Sequence, residues 1–374
     1  MRKLRLRERK GWTRRACVGL LPRVIDSPSS LAAFMPRLQQ AAWLTLDTEA
    51  DSLHAYPEKL CLLQVGLPDG VELLDPLSGI SLDAVWTEFS KHEILMHGAD
   101  YDLRLLKGGP GFVPTKIFDT MLAARLVGHQ KFGLADLVLQ HLGVTLEKGS
   151  QKANWAQRPL TAKMREYACN DVLYLKPLVD ALRALLASKG RLEWHRQECA
   201  QLIHDNTQLT PLDPDRVWRM KGSNRLPPAA LAVLRELWYW REGEAIRRCR
   251  PPFFILSHDL LLEIAFVTSQ GGHCGDLVPR RISDQRRQLI MDAVARGLAL
   301  PPTEHPHLLP SAPRLRLSGG QARDLTELQR KRDVIAGNLD IDPTLLASRA
   351  MMLEMVTGDA CTHLLPWQRE LLTV

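Results

Sequence analysis

The sequence predicts a mixed α/β domain over residues 22–200 followed by small all-helical domains, and three observations carry that reading. Short apolar runs at 43–49, 60–66 and 71–75 are separated by turn residues. Beyond Arg191 these strand signals fade, and helical periodicity with proline-rich joints replaces them. At 374 residues the chain exceeds what one small core organises.

The three runs read as strands of an antiparallel meander. Residues 94–97 form a further buried strand, and 101–107 read as a helix. Asp119 stands before a helix ending at Val127, where its carboxylate caps free amides. An apolar run at 134–142 follows Gly133, and a polar loop occupies 143–154. Pro159-Leu160-Thr161 then opens a long helix carrying Tyr167 and Asp171, with Pro177 as a kink or break.

Five segments follow from these signals: a basic arm at 1–21, the α/β domain at 22–200, a linker at 201–213 and helical domains at 214–291 and 292–374. The arm sets eight Lys and Arg against the single acid Glu8, which reads as a solvated tail, a phosphate-binding arm or a transit peptide. The linker rests on the proline and aspartate of 209–214.

Composition narrows the function classes. No stretch reaches the about eighteen uninterrupted apolar residues of a membrane span, so a membrane role is not expected and the default compartment is the cytoplasm. The formal charge of +7 is compatible with a polyanionic ligand without requiring one. Seven scattered cysteines without a C-x-x-C pair argue against a disulfide framework and against a zinc knuckle.

Two acidic pairs carry the chemistry. Asp47 and Glu49 in Asp47-Thr48-Glu49 share one face of a strand, and Tyr167 and Asp171 share one face of a helix. Asp102, in His97-Gly98-Ala99-Asp100-Tyr101-Asp102, adds a fourth acid, with Asp100 as its competitor. Phosphodiester hydrolysis needs an activated water and neutralisation of charge on phosphorus, which two divalent ions about 4 Å apart supply. Magnesium and manganese take hard oxygen ligands, so carboxylates are the expected donors. Each acid alone also reads as a turn, a cap or a solvated helix residue.

In combination these motifs resemble the ribonuclease D family of the DEDD superfamily of 3′ to 5′ exonucleases. The family's D-x-E falls on Asp47 and Glu49, its H-(A/G)-(A/G)-x-x-D on Asp102 and its Y-x-x-x-D on Tyr167 and Asp171. Asn154 to Thr161 resembles the W-x-x-R-P-L-(S/T) stretch. The sister subgroup has histidine where this chain has Glu166, so the chain is similar to the tyrosine subgroup. Where relatives often carry an aromatic after the D-x-E glutamate, this chain has Ala50, which bears on substrate fit.

The resemblance implies a ribonuclease H-like fold, a mixed sheet flanked by helices. It implies two Mg2+ or Mn2+ ions held by Asp47, Glu49, Asp102 and Asp171, with the Tyr167 hydroxyl orienting the attacking water. The implied substrate is RNA with a free 3′ end, such as a tRNA precursor, trimmed to nucleoside 5′-monophosphates by a monomer. Residues 214–291 resemble the HRDC module of helicases and ribonuclease D, and 292–374 would be a second, diverged one.

Phe132, Lys148, Gln151, Lys152 and Trp155 lie in or near loops suited to strand entry, aromatics for stacking and lysines for phosphate. For Trp155, core packing or domain closure is at least as good a reading as base contact, and His97 reads as a core histidine rather than a ligand. Arg247, Arg248 and Arg250, with Arg280, Arg281, Arg286 and Arg287, are phosphate candidates or a solvated face. Trp238, Tyr239 and Trp240 read mainly as core.

Leu317-Ser318-Gly319-Gly320-Gln321 matches the signature string of ABC ATPases, but no G-x-x-x-x-G-K-(S/T) loop accompanies it, so no nucleoside triphosphate is expected. Ser318 reads instead as the start of a helix to Ile335. The competing functions are a 3′ to 5′ DNA exonuclease and a catalytically silent nucleic-acid-binding protein.

Overall fold

The computed structural model describes residues 22–147, 149–208, 213–280, 282–309, 317–358 and 364–372. They fall into two units. The first joins the α/β part to the residues from Leu317 onward, and the second comprises the helices between them together with Asp51–Lys59.

The first unit is built on a six-stranded sheet: β1 (Arg23–Ile25), β2 (Leu44–Ala50), β3 (Leu60–Leu67), β4 (Gly70–Leu74), β5 (Glu93–Met96) and β6 (Lys116–Asp119), in the order β1-β4-β3-β2-β5-β6. The expected meander is β2-β3-β4, antiparallel throughout. β1, β5 and β6 add in parallel at its edges. β1 and β6 are three and four residues long, too short for period-two alternation to announce them.

Two layers of helix cover the sheet. On one face lie α1 (Pro28–Gln39), α2 (Asp83–Phe89) and α3 (Asp100–Gly108), whose Phe34, Leu38, Val85, Phe89, Leu103 and Leu106 pack on Leu44, Leu46, Leu63 and Val65. After α4 (Thr120–Val127) and α5 (Leu134–Leu142), the other face receives α6 (Ala162–Leu173) and α7 (Leu175–Ser188). Asp119 caps α4 as expected, accepting from the amides of Met121 and Leu122 at 2.8 and 3.0 Å.

The long helix breaks at Tyr174 rather than at Pro177, because a proline is tolerated in a first turn whose amides lack intrahelical partners. α8 (Leu192–Thr207) runs through most of the expected linker start, so 201–207 is helix; 209–212 lie outside the described residues.

The second unit contains α9 (Pro228–Arg247), α10 (Pro252–Ile255), α11 (His258–Ser269) and α12 (Asp284–Ala299), packed around Trp218, Leu231, Leu234, Leu261, Ile264 and Ile290. The expected boundary at 291/292 falls inside α12. Helical periodicity continues across it, and its Ala293 and Val294 belong to this core.

The helices α13 (Gly319–Leu339), α14 (Pro343–Leu346), α15 (Arg349–Thr357) and α16 (Pro366–Leu372) group with the α/β unit instead of forming a separate module. Ser318 caps α13 through a reciprocal bond pair with Gln321, which accounts for the ATPase-like string. Ala336, Ile341, Leu345, Leu346 and Trp367 enter the core shared by α4, α5 and α7. Trp367 stacks on Trp194 at 4.6 Å between ring centres, and Arg191 donates to the carbonyls of Leu126 and Leu339, each at 2.6 Å.

Candidate active site

β2 is the inner strand from which the site grows. Its odd-numbered side chains Thr45, Asp47 and Glu49 share the face covered by α6, while Leu44, Leu46 and Thr48 point to the α3 side. β5 pairs with β2 only through Leu44 and Thr45, so the strand continues beyond its neighbour into the crevice at the C-terminal ends of the parallel strands. A shift in register between Glu49 and Ala50 ends the regular pairing at the acids.

α6 supplies the second half. Thr161 caps it through the Met164 amide at 3.2 Å, and Met164, Ala168, Cys169 and Val172 bury one stripe against the sheet. Tyr167 and Asp171, one turn apart, stand beside that stripe. The carboxylates of Asp47, Glu49 and Asp171 lie within 4.8 Å of one another, the group among the described residues suited to a metal ion.

Asp102 is buried in the first turn of α3 and lies outside that trio. It accepts the hydroxyl of Thr48, the residue between the two β2 acids. The motif's middle residue therefore holds the fourth acid, a role that strand alternation signals by turning Thr48 toward α3.

The acids strain one another electrostatically. Burial, then the charges of Asp171 and Asp102, push the Glu49 carboxyl up to about 9. Burial raises Asp171 to about 7, opposed by the Tyr167 hydroxyl that donates to it. Burial raises Asp102 to about 6 against the Thr48 bond, and raises Asp47 well above the carboxylate range together with the charges of Asp102, Asp171 and Glu49. Burial and the same acids lift the Tyr167 phenol above its ordinary value, so it stays protonated. An all-oxygen donor set that cannot fully ionise by itself fits a hard divalent cation, whose charge relieves both causes.

The supports of the site are structural. His97 is partly buried, with Nδ1 2.8 Å from the Thr120 hydroxyl; burial lowers it to about 4, so it is neutral and is no member of the acidic group. Trp155 is 1% exposed and packs in the core beside the Tyr167 ring, which excludes the base contact weighed for it. Arg158 of the same stretch forks onto Asp75 at 2.5 and 2.7 Å and donates to the carbonyls of Cys61 and Trp155. Gly149 lies so close to Tyr167 that a Cβ would come within 2.4 Å of the ring. None of Thr48, Arg158 or Gly149 was expected as a support, because each acts through a partner distant in sequence.

Of the other nucleic-acid candidates, Phe132 is 39% exposed with Arg125 near its ring, and Gln151 and Lys152 are exposed. Lys148 and Arg281 lie outside the described residues. Arg247 and Arg248 both pair with the buried carboxylate of Glu244, so part of their charge is committed within α9. Arg287 is likewise turned to structure, donating to the carbonyls of Gly275, Val278 and Pro279, whereas Arg250 and Arg280 are exposed. Trp238 and Trp240 pack against the helical core while Tyr239 is 46% exposed.

A mixed sheet with carboxylates converging from β2 and α6, beside a further acid on α3, is the architecture of a metal-dependent 3′ to 5′ exonuclease, and the family model described as "3'-5' exonuclease" matches residues 22–187. The HRDC domain model matches residues 230–270. The chain is 31% identical to ribonuclease D of Jannaschia sp. (strain CCS1), covering 90% of this chain and 89% of that one. It is 33% identical to ribonuclease D of Shewanella sp. (strain ANA-3), over 68% and 66%. The chain belongs to the ribonuclease D family.

Solved structures agree on the fold. A protein from Bifidobacterium adolescentis superposes with a TM-score of 0.80 at 24% identity, covering 94% of this chain and 95% of that one. Escherichia coli RNase D, described as an exoribonuclease involved in structured RNA processing, superposes at 0.73 and 24% identity over 95% and 97%.

Proposed function

We propose that this chain degrades RNA from the 3′ end, releasing nucleoside 5′-monophosphates and trimming structured RNAs such as tRNA precursors. The convergence of Asp47, Glu49 and Asp171, with Asp102 coupled to them electrostatically, carries the reading. The ribonuclease D name of its relatives supports RNA as the polymer.

In this reading Asp47, Glu49, Asp102 and Asp171 hold two Mg2+ or Mn2+ ions. When bound, such ions acidify water and neutralise charge on the attacked phosphorus and the leaving oxygen. Tyr167, kept protonated, serves as a hydrogen-bond donor that orients the attacking water rather than as a base. Thr48 holds Asp102, and Trp155 and Gly149 hold the Tyr167 ring. Phe132, Gln151 and Lys152 are the candidates for guiding the strand, and Arg250 for a phosphate contact. The chain acts as a monomer in the cytoplasm; among the described residues no helix is long and apolar enough to cross a membrane.

The test uses 5′-labelled RNA and DNA of one sequence with Mg2+, Mn2+ or EDTA, beside Asp47→Ala. A ladder shortening from the 3′ end of RNA, absent with EDTA and in the variant, is expected. Faster loss of DNA would make the chain a DNA exonuclease, and cleavage surviving in Asp47→Ala would remove the assigned site.

A further inference from the structure

Gln64 is a fully buried amide whose nitrogen and oxygen both lack a hydrogen-bond partner among the described residues. A buried amide without partners costs folding free energy, and a native chain that keeps one usually gives it a task.

Its position narrows the task. Gln64 is the direct cross-strand partner of Asp47 in the β2–β3 ladder, on the face covered by α6. Side chains so paired stand about 5 Å apart at Cβ. On its other side the partner is Leu73, and along its own strand the residues on the same face are Leu62 and Gly66. Of the other polar residues on that face of β2, Thr45 is committed to the carbonyl of Val172, and Glu49 stands opposite Leu62, one diagonal step from Gln64. Asp47 is thus the acceptor that stands directly opposite Gln64. The hydrogen bond found to act on Asp47 is that of the Thr48 backbone, which leaves acceptor capacity open.

We propose that Gln64 is a positioning residue for the catalytic metal site: its amide N–H engages the Asp47 carboxylate across the β2–β3 ladder, and so fixes which oxygen would face a bound divalent cation. Gln64 is buried and does not touch substrate; it acts through Asp47. Supports of this kind behind a metal-ligating carboxylate set affinity as well as rate. The inference rests on the metal-dependent reading of the acidic site.

The test compares the parent chain with Gln64→Met, which keeps length and removes both polar atoms, and with Gln64→Leu, which removes them in a different shape. Mn2+ binding is measured without RNA by calorimetry and by loss of the free-ion electron paramagnetic resonance signal. Thermal melts report folding, and kcat and KM are taken on labelled RNA. Gln64→Met is expected to melt at or above the parent temperature in EDTA, bind Mn2+ roughly tenfold or more weakly, and lower kcat with KM nearly unchanged.

A folded Gln64→Met with parental Mn2+ affinity overturns the proposal. Should that variant not fold, the same comparison on Gln64→Leu decides, and parental affinity there also overturns it. A parent chain that binds Mn2+ but leaves RNA intact sinks the RNA reading while the Mn2+ comparison still decides the role of Gln64. A parent chain that binds no Mn2+ overturns both.

Discussion

The Thr45 hydroxyl donates to the backbone carbonyl of Val172 at 3.2 Å, and so ties β2 two residues before Asp47 to α6 one residue after Asp171. The bond needs the bare backbone of Gly66, where a Cβ would lie 2.2 Å from that hydroxyl. Two acids from elements far apart in sequence are thereby spaced by one buried hydrogen bond. Thr45→Val keeps the volume and leaves the Val172 carbonyl without its donor, which should cost about 1–2 kcal/mol. The expected result is a lower midpoint in urea and a lower kcat with KM for RNA unchanged. Parental kcat would show that the tie does not space the acids.

Removal of one site carboxylate should stabilise the cation-free fold. Glu49 is pushed from 4.5 to about 9 and Asp171 from 3.8 to about 7, both chiefly by burial. A carboxyl with a higher pKa folded than unfolded favours the fold fully below its unfolded value, and loses that contribution as pH rises through its folded value. In EDTA the melting temperature should fall between about pH 5 and 9, and divalent cation should flatten the fall. Glu49→Gln should melt a few degrees above the parent at pH 9 while losing RNA cleavage. A parent melting temperature independent of pH in EDTA would contradict this.

Tyr167→Phe removes the donor to Asp171 without changing the ring that rests on Trp155 and Gly149. A loss of roughly 100-fold in kcat is expected, the scale for one well-placed donor. Because the phenol stays protonated, the parent pH–rate profile should show no break near pH 10. Gly149→Ala should lower kcat in the same direction by displacing the ring, with overall stability little changed.

Arg158→Met should destabilise without touching the acids. It leaves the buried Asp75 carboxylate without its bidentate partner and frees two backbone carbonyls. Arg158 keeps part of its surface in water, so about 2–4 kcal/mol is expected, below the cost of breaking a fully enclosed pair. Urea unfolding measures the loss, and the Mn2+ affinity of the folded fraction should be parental.

Truncation after residue 316 should damage the nuclease unit itself. It strips Trp367 from Trp194, and Leu339 from Arg191, and uncovers the core around Leu345 and Leu346. A lower melting temperature and binding of an apolar dye are expected. A truncated chain with parental stability would mean that these helices merely rest on the surface.

Asp47, Glu49, Tyr167 and Asp171 were legible because each pair follows a local period, two residues along a strand or four along a helix. The order of the motifs supplied Asp102. Gln64, Gly66 and Gly149 were not legible, since their meaning lies in cross-strand register and in contacts between segments that only folding brings together. The same limit hid the partner of α13–α16. Their amphipathic pattern announces a buried face but does not name the surface that buries it. The boundary expected at residue 291 failed for a related reason, as continuous periodicity through α12 gives no sign of which core it serves.

The shared core of α4, α7 and α13–α16 also bears on the order of synthesis. All of the helical unit precedes Leu317 in the chain, so it can fold while translation proceeds, but the nuclease unit must wait for residues made after it. A newborn chain therefore carries an unfinished RNA-cutting half until the last of these helices has been made.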